Sequence, residues 1–447
     1  LDRNIEDLLN TIRRCPSFAG QSPTNEAQLK AHANTARQAA MEGMVLLRNT
    51  NQALPLPKGT RAAVFGNRSY ELIAGGTGSG DVNEAYTVSL IEGMKGNTLL
   101  SDDELRRLYA EYLKAERAKL PKNELFFLPQ QQIPEMAMKE EAIIAAAERT
   151  DVAILTIGRI SGEFEDRKMG EDFYLTETEK TMLERISRAF HQQGKKVVVV
   201  LNVGGPVDVA SWRNQVDAIL LAWLPGQEAG YAISSLLIGG VSPCGKLPMT
   251  FPKRFEDDPT SAGFPGKAFG EPVDMGFTQY RNAEIEYDEG VFVGYRAFDK
   301  ASVEPAYEFG YGQSYTAFGY SSLKISQDTM QDELMVKLIV TNEGEYPGRE
   351  IAQLYLSAPG KSMPKPVQEL KGFAKTRLLQ PGQSQTLVFK LSLKDLASFD
   401  EKQSAWVAEA GTYTLRIGAS SSDIRLEDNF VLPLGRVVEK TSRALNR

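Results

Sequence analysis

Cysteine and histidine are nearly absent from this chain, with two of each in 447 residues. Cys15 and Cys244 stand in different parts of the sequence, so there is neither a disulfide framework nor a CxxC metal site. His32 and His191 both fall inside polar, helix-like patterns, the setting of ordinary surface helix residues. A histidine-rich zinc site or a Ser-His-Asp triad is therefore not expected. Long apolar runs are missing as well: none reaches the ~18 residues needed to cross a bilayer. Excess positive charge is missing too. The formal charge of -7 and pI near 5.3, with no local Lys/Arg cluster, argue against a nucleic-acid or anionic-membrane partner. An initiating Met is also lacking. The chain opens Leu1-Asp-Arg-Asn, and Ile5, Leu8, Leu9 and Ile12 already form one helical stripe, so the expectation is a piece of something longer or a processed product. A soluble chain follows; its compartment, cytoplasm or periplasm, and its oligomeric state, a homo-oligomer included, stay open.

What is present suffices for two or three domains, since 42% of the residues are hydrophobic. Residues 1–50 read as a helical connector: a lone helix ending at Cys15-Pro16, then one long helix from Asn25 to Arg48. Residues 51–252 alternate short apolar strands (Ala62–Gly66, Val152–Ile157, Val197–Val203, Ala218–Trp223) with helices such as Thr176–Gln193, which carries a Thr176-x-x-Glu179 capping box. That alternation predicts an α/β sandwich with a mostly parallel sheet covered on both faces. Residues 101–148 interrupt it with charged helices and read as an insertion of low functional weight. Residues 253–320, rich in Pro, Gly and aromatics, form an ordered connector, because free linkers carry few aromatics. Residues 321–447 switch to period two, as in Met335–Asn342, Ile351–Leu356, Gln385–Phe389 and Gly411–Ile417, which predicts a β-sandwich of about a hundred residues.

The chemistry concentrates after Val152–Ile157, where a buried-type strand runs into a loop bearing Glu163, Glu165, Asp166, Glu171 and Asp172. The rim of such a sheet is where α/β proteins place their chemistry. Ser161-Gly162 lets the loop bend so that Glu163 projects alone, while Asp166-Arg167-Lys168 can form local ion pairs; a solvated acidic patch is the competing reading. Gly75-Gly-Thr-Gly-Ser-Gly-Asp81 lacks the Lys-Ser/Thr ending of a P-loop and the spacing of the dinucleotide fingerprint. It reads either as a surface turn or as a loop offering Thr77 and Ser79 to a polar ligand such as a sugar, with a phosphate site as a third option. Glu228 in Trp223–Gly230 reads as structural, at a turn opening a helix, and the aromatics of Tyr307–Gly312 and Tyr287, which could stack on sugar faces, read rather as glue between domains.

Taken together, GGTGSGD, ISGE…DR…DFYL, NVGGPVDVASW, WLPGQEAG, SPCGKLPMTFP, EFGYGQSYTAF, VTNEG, QELKGFAKTRLL and DLASFD resemble the C-terminal two-thirds of a family 3 glycoside hydrolase of the β-glucosidase type, over essentially the whole chain. The resemblance implies an α/β sandwich domain bearing the general acid/base, followed by a fibronectin type III-like domain. It implies further that a preceding (β/α)8 barrel supplies the nucleophile, an Asp in a Ser-Asp-Trp-like triplet. Glu163 of Ser-Gly-Glu matches the acid/base, and Ser79 matches a residue holding the sugar in the −1 subsite; Thr77 and Asp81 share that loop. Phe164-Glu165 follows the acid where the commoner motif has Gly-Tyr, which keeps Glu165 as a rival. No Ser-Asp-aromatic triplet occurs, Ser101-Asp102-Asp103 and Ser422-Asp423-Ile424 being the nearest strings, and Leu1 to Phe18 resembles the segment after the barrel. The activity the resemblance implies is hydrolysis of a terminal β-D-glucosyl residue from a β-glucoside or oligosaccharide, with the barrel as partner and no metal or cofactor required. The alternative is a non-catalytic carbohydrate-binding or regulatory module.

Overall fold

In the computed structural model the described residues are 1–22, 28–82, 84–121, 131–160, 167–274, 279–328 and 333–442, and every structural statement refers to these. The apolar runs become the middle of a six-stranded sheet built from β1 (Val45–Asn49), β2 (Arg61–Phe65), β3 (Leu100–Ser101), β4 (Val152–Arg159), β5 (Lys196–Val203) and β6 (Ala218–Leu221), in the order β1-β6-β5-β4-β2-β3. Strands β2 to β6 are parallel to their neighbours, whereas β1 runs antiparallel to β6.

The continuous hydrophobicity of β4 and β5 has a direct cause: both faces are covered. Ala153, Leu155, Val199 and Leu201 enter one core, Val152, Ile154, Val198 and Val200 the other. The first core is closed by α5 (Asp103–Arg117), α6 (Glu140–Arg149) and α7 (Glu177–His191), through Tyr109, Ile143 and Ile186. The second is closed by α4 (Leu90–Gly96) and α8 (Ala229–Leu237), which approach so closely that a Cβ on Gly93 would collide with the Gly230 carbonyl. Upstream, α1 (Asp2–Arg14) buries none of its residues, and α2 (Leu29–Gly43) lies against α8.

Two expectations are corrected. The long helix foreseen to Arg48 stops at Gly43, and Val45–Asn49 joins the sheet as β1. Val45, Leu46 and Leu47 are buried, a run that a half-exposed helix cannot hide but a covered strand can. The segment 101–148 is not an appendage either: it begins beside β2 with β3, and its helices α5 and α6 seal one face of the sheet.

The connector contributes an exposed hairpin, β7 (Lys267–Asp274) with β8 (Gln279–Glu284), and α9 (Tyr295–Ala301). The β-sandwich that follows packs a sheet of β9 (Phe318–Asp328), β10 (Glu333–Asn342) and β13 (Ser384–Ser392) against one of β11 (Ile351–Ser357), β12 (Glu369–Lys375), β16 (Gly411–Gly418) and β17 (Ile424–Leu432). Strand β10 shows why period two was legible: Leu334, Val336, Leu338 and Val340 are buried in the sandwich core, opposite Leu354 and Leu415. A small sheet of β14 (Ser398–Asp400), β15 (Ala405–Ala408) and β18 (Arg436–Lys440) completes this part.

Candidate active site at the carboxyl edge of the sheet

Four chain segments leave the carboxyl ends of the parallel strands and meet. After β2, Gly66 sits at φ 88°, where a Cβ would strike the Thr156 carbonyl of β4, so the chain turns at once into the one-turn helix α3 (Asn67–Tyr70). The glycine-rich loop comes next and is pinned at its base. Asn202, wholly buried near the end of β5, accepts the Ile73 amide (2.7 Å) and donates to the carbonyls of Ile73 (3.0 Å) and Trp223 (2.7 Å), and the Gly226 amide donates to the Ala74 carbonyl (2.8 Å). Trp223 itself holds φ 58°, an uncommon conformation for a large side chain, at the end of β6. Within the loop Gly78 takes φ 62° and Gly78–Gly80 form a single tight turn.

The stem of the acidic loop is fixed with comparable economy. Arg159, the last residue of β4, has a side chain only 10% exposed and uses every face of its guanidinium. Its Nη1 and Nη2 pair bidentately with Glu179 (2.7 Å each), Nη1 also donates to the Gly158 carbonyl (2.8 Å), Nε to the Asp172 carbonyl (2.8 Å), and Nη2 to the Tyr174 carbonyl (3.3 Å). Glu179 is at the same time the third residue of the α7 capping box, accepting the Thr176 amide (2.9 Å). Outgoing strand, returning chain and helix start are thereby locked at one point. Arg167 pairs with Asp172 (2.6 Å), whose other oxygen accepts the Lys168 amide (2.9 Å).

Between these segments lies a cleft of about 340 Å³. Its lining includes Arg68 and Glu71, the loop residues Thr77, Gly78 and Asp81, Arg117 at the end of α5 and Leu120 just after it, Gln132 and Ile133, and Ile160 at the start of the acidic loop. Beneath it, Glu135 accepts the amides of Asn67 (2.9 Å) and Met136 (2.9 Å), and the loss of water around its carboxyl pushes its pKa up to about 7.

Of the residues singled out from sequence, Thr77 and Asp81 line this cleft, and Ser79 stands exposed on the same tight turn. Glu163, with its rival Glu165 and with Asp166, lies outside the described residues. Glu228 is buried and holds Arg37 and the Tyr86 hydroxyl (2.5 Å), a structural arrangement across α2 and α8. Tyr307 and Tyr311 pack in or against the α/β core, and Phe309 stacks on Tyr295 of α9 with centroids 4.7 Å apart; Tyr287 is exposed. His191 pairs with Asp217 (2.9 Å) at the end of α7, away from the cleft lining. Among the described residues no cluster of His, Cys, Asp or Glu could hold a metal ion.

Sequence reading missed Asn202, Arg159 and the cleft-lining residues Leu113, Arg117, Leu120 and Gln131 to Ile133. Asn202 carried a signal, as a lone amide in the otherwise apolar run Val197–Val203, and a buried polar group in such a strand must have partners. Arg159 carried a weaker one, a charge closing a buried strand. The contribution of Arg117 to the cleft depends on contacts distant in sequence, such as its ion pair with Glu71, and had no local signal.

The residues from 44 to 315 match the glycosyl hydrolase family 3 C-terminal domain, and 350–421 match the fibronectin type III-like domain. The chain belongs to glycosyl hydrolase family 3. Its relatives include β-glucosidase A of Butyrivibrio fibrisolvens, 36% identical over 95% of this chain and 54% of the relative, and thermostable β-glucosidase B of Acetivibrio thermocellus, 33% identical over 96% and 52%. Among solved structures, β-glucosidase 3B of Thermotoga neapolitana in complex with α-D-glucose matches with a TM-score of 0.88 and 42% identity, covering 96% of this chain and 58% of that one. A β-glucosidase from Paenibacillus barengoltzii matches with a TM-score of 0.84 and 30% identity, over 95% and 46%. This family 3 chain thus spans about half the length of the relatives it matches.

Proposed function

We propose that this chain is the acid/base-bearing part of a retaining β-glucosidase, with the nucleophilic Asp supplied by a (β/α)8 barrel outside this sequence. The observation that carries the reading is the cleft at the carboxyl edge of the sheet, where the pinned glycine-rich loop and the start of the acidic loop share one hollow. The names of its relatives, all β-glucosidases in the comparisons above, give the substrate class.

In this reading Thr77 and Ser79 hold hydroxyls of the −1 glucosyl unit. Glu163 protonates the glycosidic oxygen as the barrel Asp attacks the anomeric carbon, and the bond to the leaving group breaks as the glycosyl–enzyme ester forms. Glu163 then takes a proton from water, which attacks the same carbon and releases glucose with retention. The two carboxyls must therefore lie about 5–5.5 Å apart across the bond. A general acid at near-neutral pH needs a raised pKa, which a closed site with a second carboxylate provides.

The test is Glu163→Ala in the assembled enzyme. Turnover of substrates with poor leaving groups should fall by about 10²–10⁴, the usual range for a lost acid/base. Activated aryl glucosides should lose far less, and azide should restore turnover. Equal loss on both substrate types, or none, removes Glu163 from the role; a chain that binds glucosides but shows no turnover when joined to its barrel supports the binding-module alternative.

A further inference from the structure

We propose that Asn202 and Tyr86 are positioning residues for the glycine-rich loop: they fasten its two stems to one seat, the turn Trp223–Gly230, and so set where Thr77 and Ser79 meet the substrate. The inference rests on the glucosidase reading above and assigns roles to residues that touch no sugar.

The incoming stem is held at Ile73 and Ala74. Asn202 accepts the Ile73 amide, donates to the Ile73 carbonyl and reaches the Trp223 carbonyl with its remaining N–H. One residue further on, the Gly226 amide donates to the Ala74 carbonyl (2.8 Å). The outgoing stem returns to the same turn. The Val88 amide donates to the Gln227 carbonyl (2.8 Å), the Gly230 amide to the Val88 carbonyl (2.9 Å), and the Tyr86 hydroxyl to the Glu228 carboxylate (2.5 Å). A Cβ at Gly230 would strike the Ser89 carbonyl, so chain and turn meet at backbone distance. The turn has a definite shape of its own, with Trp223 at φ 58° and Gly226 at φ 75°.

Between the stems the loop has little stiffness. It carries Gly75, Gly76, Gly78 and Gly80, and among the described residues from 81 to 88 there is no helix or strand. Such a segment keeps one conformation only where its ends are fixed, because glycine has the most backbone freedom to lose. A shift of either stem therefore passes to Thr77 in the cleft lining, and hydrogen bonds to a sugar hydroxyl weaken steeply with misplacement.

The two residues serve the loop more than the core. Tyr86 is 46% exposed and packs little. Glu228, 2% exposed, already has in Arg37 the cation that a buried carboxylate requires, and Arg37 lies over the Tyr231 ring at 4.4 Å. The Tyr86 bond is an added arm on a paired carboxylate, and its effect falls on the outgoing stem. Asn202 is an amide in an apolar strand, and its side-chain bonds go to the incoming stem and the turn.

The experiment uses the assembled enzyme and measures kcat and KM on a chromogenic aryl β-glucoside, the inhibition constant of glucose and the thermal melt. Tyr86→Phe keeps the ring and removes one arm. Its glucose inhibition constant should rise about fivefold, equivalent to about 1 kcal/mol for one hydrogen bond, with KM rising alongside, kcat changing less and the melting temperature unchanged. Asn202→Asp keeps the shape but turns an acceptor towards the Ile73 and Trp223 carbonyls, and should act in the same direction more strongly. In a Thr77→Ala/Ser79→Ala background Tyr86→Phe should have little further effect, because it acts through those hydroxyls. A Tyr86→Phe enzyme with unchanged KM and glucose inhibition overturns the proposal, whatever its melting temperature, as does full additivity with the double variant. If Thr77→Ala/Ser79→Ala itself leaves glucose inhibition and kcat/KM unchanged, the loop holds no sugar, and the −1 reading falls together with this inference; if that variant is impaired while Tyr86→Phe matches wild type, the positioning role alone falls.

Discussion

Glu135 is a carboxyl group whose protonation the fold has shifted, and its consequence for stability has a definite sign. Loss of water around the group raises its pKa most, the neighbouring charge of Glu179 adds to this, and the amides of Asn67 and Met136 together with Arg68 oppose it; the balance lies at about 7. The folded state therefore holds a proton that the unfolded chain releases near 4.5. Its contribution to stability is complete below about 4.5 and is lost as pH rises towards 7. Glu135→Gln removes this titration while keeping an oxygen for the two amides. The stability of the variant relative to wild type should accordingly improve by up to about 3 kcal/mol between pH 4.5 and pH 8, read from urea melts at a series of pH values. A constant difference across that range would mean that Glu135 titrates as an ordinary surface carboxylate.

At the scale of elements, β4, the acidic loop and α7 act as one unit because Arg159 ties all three. Arg159→Lys retains the charge but not the planar fork, and a single ammonium cannot reach Glu179 together with the carbonyls of Gly158, Asp172 and Tyr174. The expected loss is about 3 kcal/mol in a denaturant melt, since a buried carboxylate loses its bidentate partner. In the assembled enzyme, turnover of poor leaving groups should fall more than that of activated ones, because the loop that carries Glu163 loses its anchored stem. A variant equal to wild type in both measurements would show that the stem holds nothing. The sequence made the middle of this unit readable: covered parallel strands are continuous apolar runs, and the Thr176–Glu179 capping box is a local spacing. Its ends were hidden, because Asp172, Tyr174 and Glu179, the partners of Arg159 beyond its own neighbour Gly158, lie 13 to 20 residues away and depend on the path of the loop. The same reason hid β1, where Met44-Val-Leu-Leu prolongs a helical pattern until the pairing of Val45 with Leu221 is known. It hid the hairpin β7–β8 too, whose exposed strands carry no alternation to read. Thr77, which lines the cleft, could be singled out from sequence because a glycine-rich turn announces itself, whereas Arg117 and Gln132 of the same lining come from stretches with only surface-like polarity.

Across the whole molecule, the α/β part and the β-sandwich are joined by buried polar contacts as much as by apolar packing. Gln353 of β11, 3% exposed, donates to the carbonyls of Gly310 (3.0 Å) and Ala419 (2.8 Å) and accepts the Tyr355 hydroxyl (2.6 Å). Nearby, Lys246 pairs with Glu350 (3.1 Å), and Tyr295 joins Phe309 to the sandwich by accepting the Leu370 amide (2.8 Å). The segment Tyr307–Gly312 is thus clamped from both sides, with Tyr307 in the α/β core and Gly310 under Gln353. Gln353→Leu preserves the approximate shape of the side chain and removes all three bonds, leaving two buried carbonyls and one hydroxyl to find new partners. Each unsatisfied group costs about 1–3 kcal/mol, so the junction should weaken by roughly 3 kcal/mol or more. Wild type should unfold in one calorimetric transition because the junction couples the two parts, and the variant should resolve into two, with the sandwich melting apart from the sheet domain. A single transition at an unchanged temperature in Gln353→Leu would show that the coupling runs through the apolar contacts alone; two transitions already in wild type would show that the two parts unfold independently and that these polar bonds do not unite them.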